Sequence, residues 1–143
     1  MNYEEILQSF DDVKYRYEEL NDSDVLEAFS LMRDSSSLLA SYEQMSADAL
    51  KLTALTEREA KALEAKKSLE LSSKVTEGAR KALCDPEVNE AYKRLAERVT
   101  QQKYIEANAR FLSRVYFDSK LIVEQCYKKE RPPVGDNKMV GRC

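Results

Sequence analysis

Histidine is absent from the 143 residues. With it goes the side chain that most often moves protons at neutral pH. Ser-His and Cys-His nucleophile pairs go too, and so do most zinc sites. An ordinary hydrolase or metalloenzyme does not fit this composition, and no catalytic residue, metal or cofactor is expected. Glycine and proline are scarce, at three each. Sandwiches, barrels and doubly wound sheets need many more turn residues. The chain therefore reads as a few long helices. No stretch approaches the ~18–20 apolar residues of a membrane span, so no membrane partner is expected. Met1 to Phe10 carries acids where a secretory leader is basic, and no apolar run follows. Cys84, Cys126 and Cys143 are widely spaced, with no C-x-x-C pair. That suits free thiols in a reducing cytoplasm.

What the chain does have is charge. Charged residues make up 34% and hydrophobic residues 43%, a mixture fit for one domain of this length over residues 1–143. The net charge of −3 hides an asymmetry. Residues 1–50 hold 3 Lys/Arg against 12 Asp/Glu, and residues 51–143 hold 20 against 14. An acidic end on a basic remainder points to a charged partner, or to complementarity within an oligomer.

Ile6, Leu7, Phe10, Val13, Tyr17 and Leu20 form one apolar face of a helix over Tyr3–Leu20. Glu4, Glu5, Asp11, Asp12, Glu18 and Glu19 lie opposite, so residues 1–22 read as an acidic N-terminal helix. Asn21-Asp22-Ser23-Asp24 then makes a turn, since these side chains bond to nearby backbone. From Val25 the helical pattern resumes and runs without Pro or Gly to Gly78. It is either one helix to about Leu83 or two helices broken at the weak helix formers Ser35-Ser36-Ser37. Asp85-Pro86 is a strong boundary, with Asp as N-cap and Pro at the first helical position. So short a link at 84–86 joins antiparallel arms. The predicted fold is all-α. A long, coiled-coil-like helical hairpin spans residues 24–130, the acidic helix is extra, and a flexible tail covers 131–143 after Pro132-Pro133.

The second arm carries a seam at steps of 3 and 4: Val88, Tyr92, Leu95, Val99, Gln102, Glu106, Ala109, Leu112, Tyr116, Ser119, Val123 and Cys126. Ala91, Ile105, Val115 and Ile122 flank it. So wide a face implies more than one partner helix. Tyr92, Leu95, Val99, Leu112 and Tyr116 are the candidate oligomerisation residues.

Cations decorate both arms, including Lys93, Arg94, Arg98, Lys103, Arg110 and Arg114 on the second. Rows of this kind neutralise phosphates and release counterions, and interleaved aromatics such as Tyr104 can stack on unpaired bases. Arg58, Lys61, Lys66, Lys67 and Lys74 on the first arm are the candidate nucleic-acid-binding residues. The same rows also fit a plain solvated helix surface.

Asp85, Val88, Leu95, Tyr104, Ser113-Arg114, Phe117, Lys120 and Ile122 together resemble the recombination mediator family of T-even type bacteriophages (UvsY-like). Lys61-Ala62-Leu63-Glu64-Ala65-Lys66 is similar to that family's basic helix. The resemblance spans roughly residues 58–122. It implies a non-enzymatic, all-helical homo-oligomer that binds single-stranded DNA and helps load a recombinase onto strands covered by single-strand binding protein. It also implies phosphate contacts by Lys61 and Lys66, a packing or oligomerisation role for Arg114 and Lys120, and the host cell cytoplasm as the compartment. The alternative is a phage-type protein–protein interaction factor (a scaffold, chaperone or inhibitor of a host defence system) that acts through the acidic N-terminal segment.

Overall fold

The structure, a computed structural model, describes residues 1–130. It is all-α, with four helices and no strand among the described residues. These are α1 (Tyr3–Glu18), α2 (Val25–Leu71), α3 (Val75–Ala82) and α4 (Pro86–Glu130). The long helices α2 and α4 pack together as the expected hairpin, and α1 is the extra N-terminal helix. The 131–143 tail lies outside the described residues. No described helix is long and apolar enough to cross a membrane.

Local chemistry fixes the helix starts. Asn2 and Glu5 form a reciprocal capping box on α1, at 2.9 and 2.8 Å. Asp24 accepts from the Glu27 N–H at 3.1 Å and starts α2. Asp85 accepts from the N–H groups of Glu87 and Val88, at 2.9 and 3.3 Å, and starts α4. α2 runs unbroken through Ser35-Ser36-Ser37. Ser35 is fully buried and its hydroxyl donates back to the Met32 carbonyl at 3.2 Å, so the helix satisfies it internally. The break falls instead at residues 72–74, where the Ser72 hydroxyl accepts from the Lys74 N–H at 3.1 Å.

The chain divides into two compact units, each drawing on both long helices. Unit 1 contains Met1–Glu43 and the chain from Asn108 onward. Here α1 joins the two long helices to make a three-helix bundle. Ile6 and Val13 of α1, Leu31, Leu38 and Tyr42 of α2, and Leu112, Val115 and Ile122 of α4 are buried. Phe10 meets Tyr42 and Phe111 with ring centroids 5.5 Å away in each case, and Tyr17 meets Phe111 edge-on at 5.7 Å. Arg16 ties α1 to α2. Its guanidinium donates to Glu27 (2.7 Å), Asp34 (2.9 Å), Ser30 (2.8 Å) and, one turn back, Asp12 (3.1 Å). Burial pulls the Arg16 pKa down, but these carboxylates outweigh it and hold the guanidinium above its ordinary value. Asp34 is raised by burial, yet Arg16 and Arg33 bring it below the usual carboxylate range.

Unit 2 covers Gln44–Ala107. Two long helices pair here with only the eight-residue α3 added. Its buried apolar residues are Ala60, Ala82, Val88, Ala91 and Ile105. α3 lies so close to α2 that a Cβ on Gly78 would meet the Ser68 carbonyl oxygen at 2.3 Å. Two of the three polar residues in the α4 seam satisfy each other, with Gln102 donating to Glu106 at 2.8 Å. Cys84 is a free, exposed thiol and Cys126 is not free, so the expectation of free thiols holds for the first alone among the described residues.

Candidate nucleic-acid interface

Of the five candidate cations on the first arm, three are engaged by carboxylates. Lys61 pairs with Glu57 at 2.7 Å and Lys66 with Glu70 at 3.9 Å, each one turn apart on α2. Lys67 is surrounded by Glu87 (3.4 Å), Asp85 (3.9 Å) and Glu70 (4.0 Å). Desolvation pulls the Lys67 pKa down, but Asp85, Glu87 and Glu70 together raise it above the ordinary lysine value. Lys67 thereby links α2 to the start of α4. Arg58 is exposed, and Lys74 is exposed at the N-cap of α3; neither has an ion pair among the described residues.

The unpaired cations concentrate on α4. Lys93, Arg94, Arg98 and Lys103 are exposed in unit 2 and have no ion pair among the described residues. Arg94 and Arg98 sit one helical turn apart, about 6 Å along the axis. Both line an open groove of about 560 Å³ between α2 and α4. Leu52, Ala60, Leu63 and Ala91 supply apolar lining, and Thr56 and Gln101 supply neutral polar groups. Glu59 and Glu97 also line it, without closing an ion pair on either arginine. Such a groove can take an extended ligand with regularly spaced anions and flat apolar faces. Tyr104 is exposed further along the same helix.

Sequence reasoning counted Arg94 and Arg98 among the cations of the arm but did not choose them. Their i, i+4 spacing was visible. That Leu52 and Leu63 lie across from them depends on the register of the hairpin.

The oligomerisation candidates fall into two groups. Tyr92, Leu95 and Val99 are half-buried in unit 2, and the Tyr92 hydroxyl donates across the hairpin to Glu64. That bond raises the Tyr92 pKa. In unit 1, Tyr116 is half-buried with its ring edge-on to Phe117 at 5.4 Å. Leu112 is fully buried by its own chain and has no surface to offer a second copy. The flanking row is the deeper one: Ala91, Ile105, Val115 and Ile122 are all buried.

No protein-family model matches the chain, and neither does any curated protein or solved structure. Among the described residues there is no group of three metal-ligating side chains that could hold an ion.

Proposed function

We propose that this chain is a non-enzymatic, single-stranded DNA-binding protein that works as a homo-oligomer. The observation that carries the reading is the Arg94–Arg98 pair, exposed and without an ion pair among the described residues, on the wall of an apolar-lined groove. A single strand presents phosphates in series and base faces that stack without sequence preference. Lys93, Lys103 and Tyr104 extend the same chemistry along α4. Unit 2 carries 12 Lys/Arg against 11 Asp/Glu, a balance of only +1. Affinity on this reading comes from several copies acting on one strand, which gain an effective concentration that one copy lacks. The resemblance to phage recombination mediators supports a role in loading a recombinase onto strands held by single-strand binding protein, in the host cytoplasm. Arg58 and Lys74 join the arginine pair as candidate contacts, and Lys61, Lys66 and Lys67 would have to exchange carboxylates for phosphates.

The test is fluorescence anisotropy of a labelled single-stranded oligonucleotide, titrated over a range of salt with a duplex control. Binding should prefer the single strand and weaken steeply as salt rises. The double variant Arg94→Ala/Arg98→Ala should flatten the log–log salt slope by about 1.4, at ~0.7 per phosphate lost. Glu59→Gln/Glu97→Gln should tighten binding, because it removes two anions from the groove. Absence of binding at ~50 mM salt, where the phosphate contribution is strong, would sink the proposal.

The acidic helix favours the second reading, an interaction factor. Arg16 neutralises Asp12 but leaves Glu4, Asp11, Glu18 and Glu19 exposed and unpaired among the described residues. On that reading, neutralising these acids abolishes activity and salt has little effect on any DNA contact.

A further inference from the structure

Two surfaces complement each other, and the DNA reading draws on them only at Lys74. The first is in unit 1. The end of α1 and the turn after it leave an open cleft of about 530 Å³ against α4. Leu20, Leu121 and Ile122 give it an apolar lining, and Leu121 is 53% exposed. Glu18, Asp22 and Asp118 supply three carboxylates. None of the three is in an ion pair among the described residues. Asp118 accepts the Tyr17 hydroxyl at 2.5 Å, which holds one wall of the cleft in place and raises the Tyr17 pKa.

The second surface is in unit 2, on the end of α2, on α3 and on the turns that flank it. Val75 is 81% exposed, and Leu69, Leu71 and Leu83 are exposed as well. Large exposed apolar side chains gathered within residues 69–83 mark a candidate contact site. The unpaired charges here are of the opposite sign. Lys74 and Arg80 have no ion pair among the described residues, while Lys81 is taken by Glu77 at 3.0 Å. Arg80 shares a shallow depression with Leu71, Lys81, Asp85 and Pro86, where Asp85 is already paired with Lys67. One surface is therefore apolar with carboxylates outside any ion pair, and the other is apolar with cations outside any ion pair, among the described residues.

We propose that the α3 surface of one copy docks into the α1–α4 cleft of a second copy. Val75 and its leucine neighbours would cover Leu121, and Lys74 and Arg80 would meet Glu18, Asp22 and Asp118. The contact is heterologous, since each copy offers one surface and receives the other. It rests on the homo-oligomer part of the reading above and specifies which surfaces join.

The experiment uses the full chain and reads mass by light scattering across a range of concentration, at one fixed salt. Wild type self-associates. Two double variants reverse the exposed charges, Glu18→Lys/Asp22→Lys on the cleft and Lys74→Glu/Arg80→Glu on the α3 surface. Circular dichroism confirms that each is folded. Each alone should associate more weakly by about tenfold or more, since like charges then face one another across the contact. An equimolar mixture should regain the wild-type association, because every contact between unlike copies then pairs opposite charges. A purely structural effect of the substitutions would not be rescued by mixing. A wild-type chain that stays monomeric overturns the self-association reading as a whole. A self-associating wild type whose reversed variants keep their mass, or fail to recover it on mixing, overturns this contact and leaves self-association standing.

Discussion

The same two helices build both units, yet the cores differ in kind. In unit 1 a third helix covers the pair, and the buried apolar set includes Leu31, Leu38, Tyr42, Leu112 and Val115. In unit 2 the pair has only α3 beside it, and three of its five buried apolar residues are alanines. Two helices in contact shield a narrow strip, which alanine can occupy and leucine overflows. Leu50, Leu52 and Leu55 of α2 are accordingly exposed in unit 2. A third helix closes the groove and lets long side chains leave water, at about 25 cal/mol for each Å² of apolar surface removed. Unit 1 can hold itself together by burial. Unit 2 depends more on ion pairs, on the close approach of α3 and on whatever it binds.

The largest expected effect breaks the better-packed side. Leu112→Ala empties a fully buried site among three helices and should cost about 2–5 kcal/mol, read as a lower urea midpoint. Native-state hydrogen exchange on the unchanged chain should show the contrast directly. Amides in α2 and α4 of unit 2 should open at lower free energy than those in unit 1. Equal protection in both units would mean that burial does not govern the difference. Next in size is Gly78→Ala. The new methyl would strike the Ser68 backbone oxygen, which cannot swing aside as a side chain can. We expect a loss of about 1–3 kcal/mol despite the better helix propensity of alanine, with the damage confined to α3 and its surroundings.

These contrasts show what the sequence makes legible. The starts of α2 and α4 follow from Asp24 and Asp85-Pro86, because capping is a local bond between neighbours. The helix break was not legible in the same way. Ser35-Ser36-Ser37 and Ser72-Ser73 are equally weak helix formers, yet α2 continues through the first and ends at the second. The difference is tertiary: Ser35 is sealed in the core of unit 1, whereas Ser73 is exposed where the chain turns into α3. The candidate site divides along the same line. The pairs Glu57–Lys61 and Lys66–Glu70 can be read from an i, i+4 spacing. The groove that leaves Arg94 and Arg98 open depends on hairpin register, which no local pattern prints.

A smaller effect concerns the charge network that fastens α1 to unit 1. The Asp34 pKa lies below its ordinary value, so its contribution is complete above the ordinary carboxylate pKa. It fades as pH falls through the lowered one, which places the loss below about pH 4. Arg16→Met removes the larger of the two causes and leaves Arg33 in place. With its partners about a third exposed, we expect a cost near 1 kcal/mol at neutral pH. The variant should also show a flatter decline in stability on acidification, measured by thermal melts at stepped pH. An unchanged acid limb would show that other carboxylates govern it.

The smallest effect is at Ser119, and its sign is the informative part. The residue is fully buried in unit 1, and its hydroxyl has no hydrogen-bond partner among the described residues. A buried polar atom without a partner has lost its water and gained nothing in return. Ser119→Ala deletes that oxygen, leaves almost no cavity and improves helix propensity by a few tenths of a kcal/mol. The substitution should therefore be neutral or stabilising by up to about 1 kcal/mol, seen as a small rise in the urea midpoint. The contrast with Leu112, two turns back on the same face of α4, is the point. Both sites are sealed by the same three helices, so burial alone would predict a loss at each. A loss at Ser119 comparable to that at Leu112 would show that the hydroxyl is satisfied in solution. The bundle around α4 would then be wetter than its packing implies.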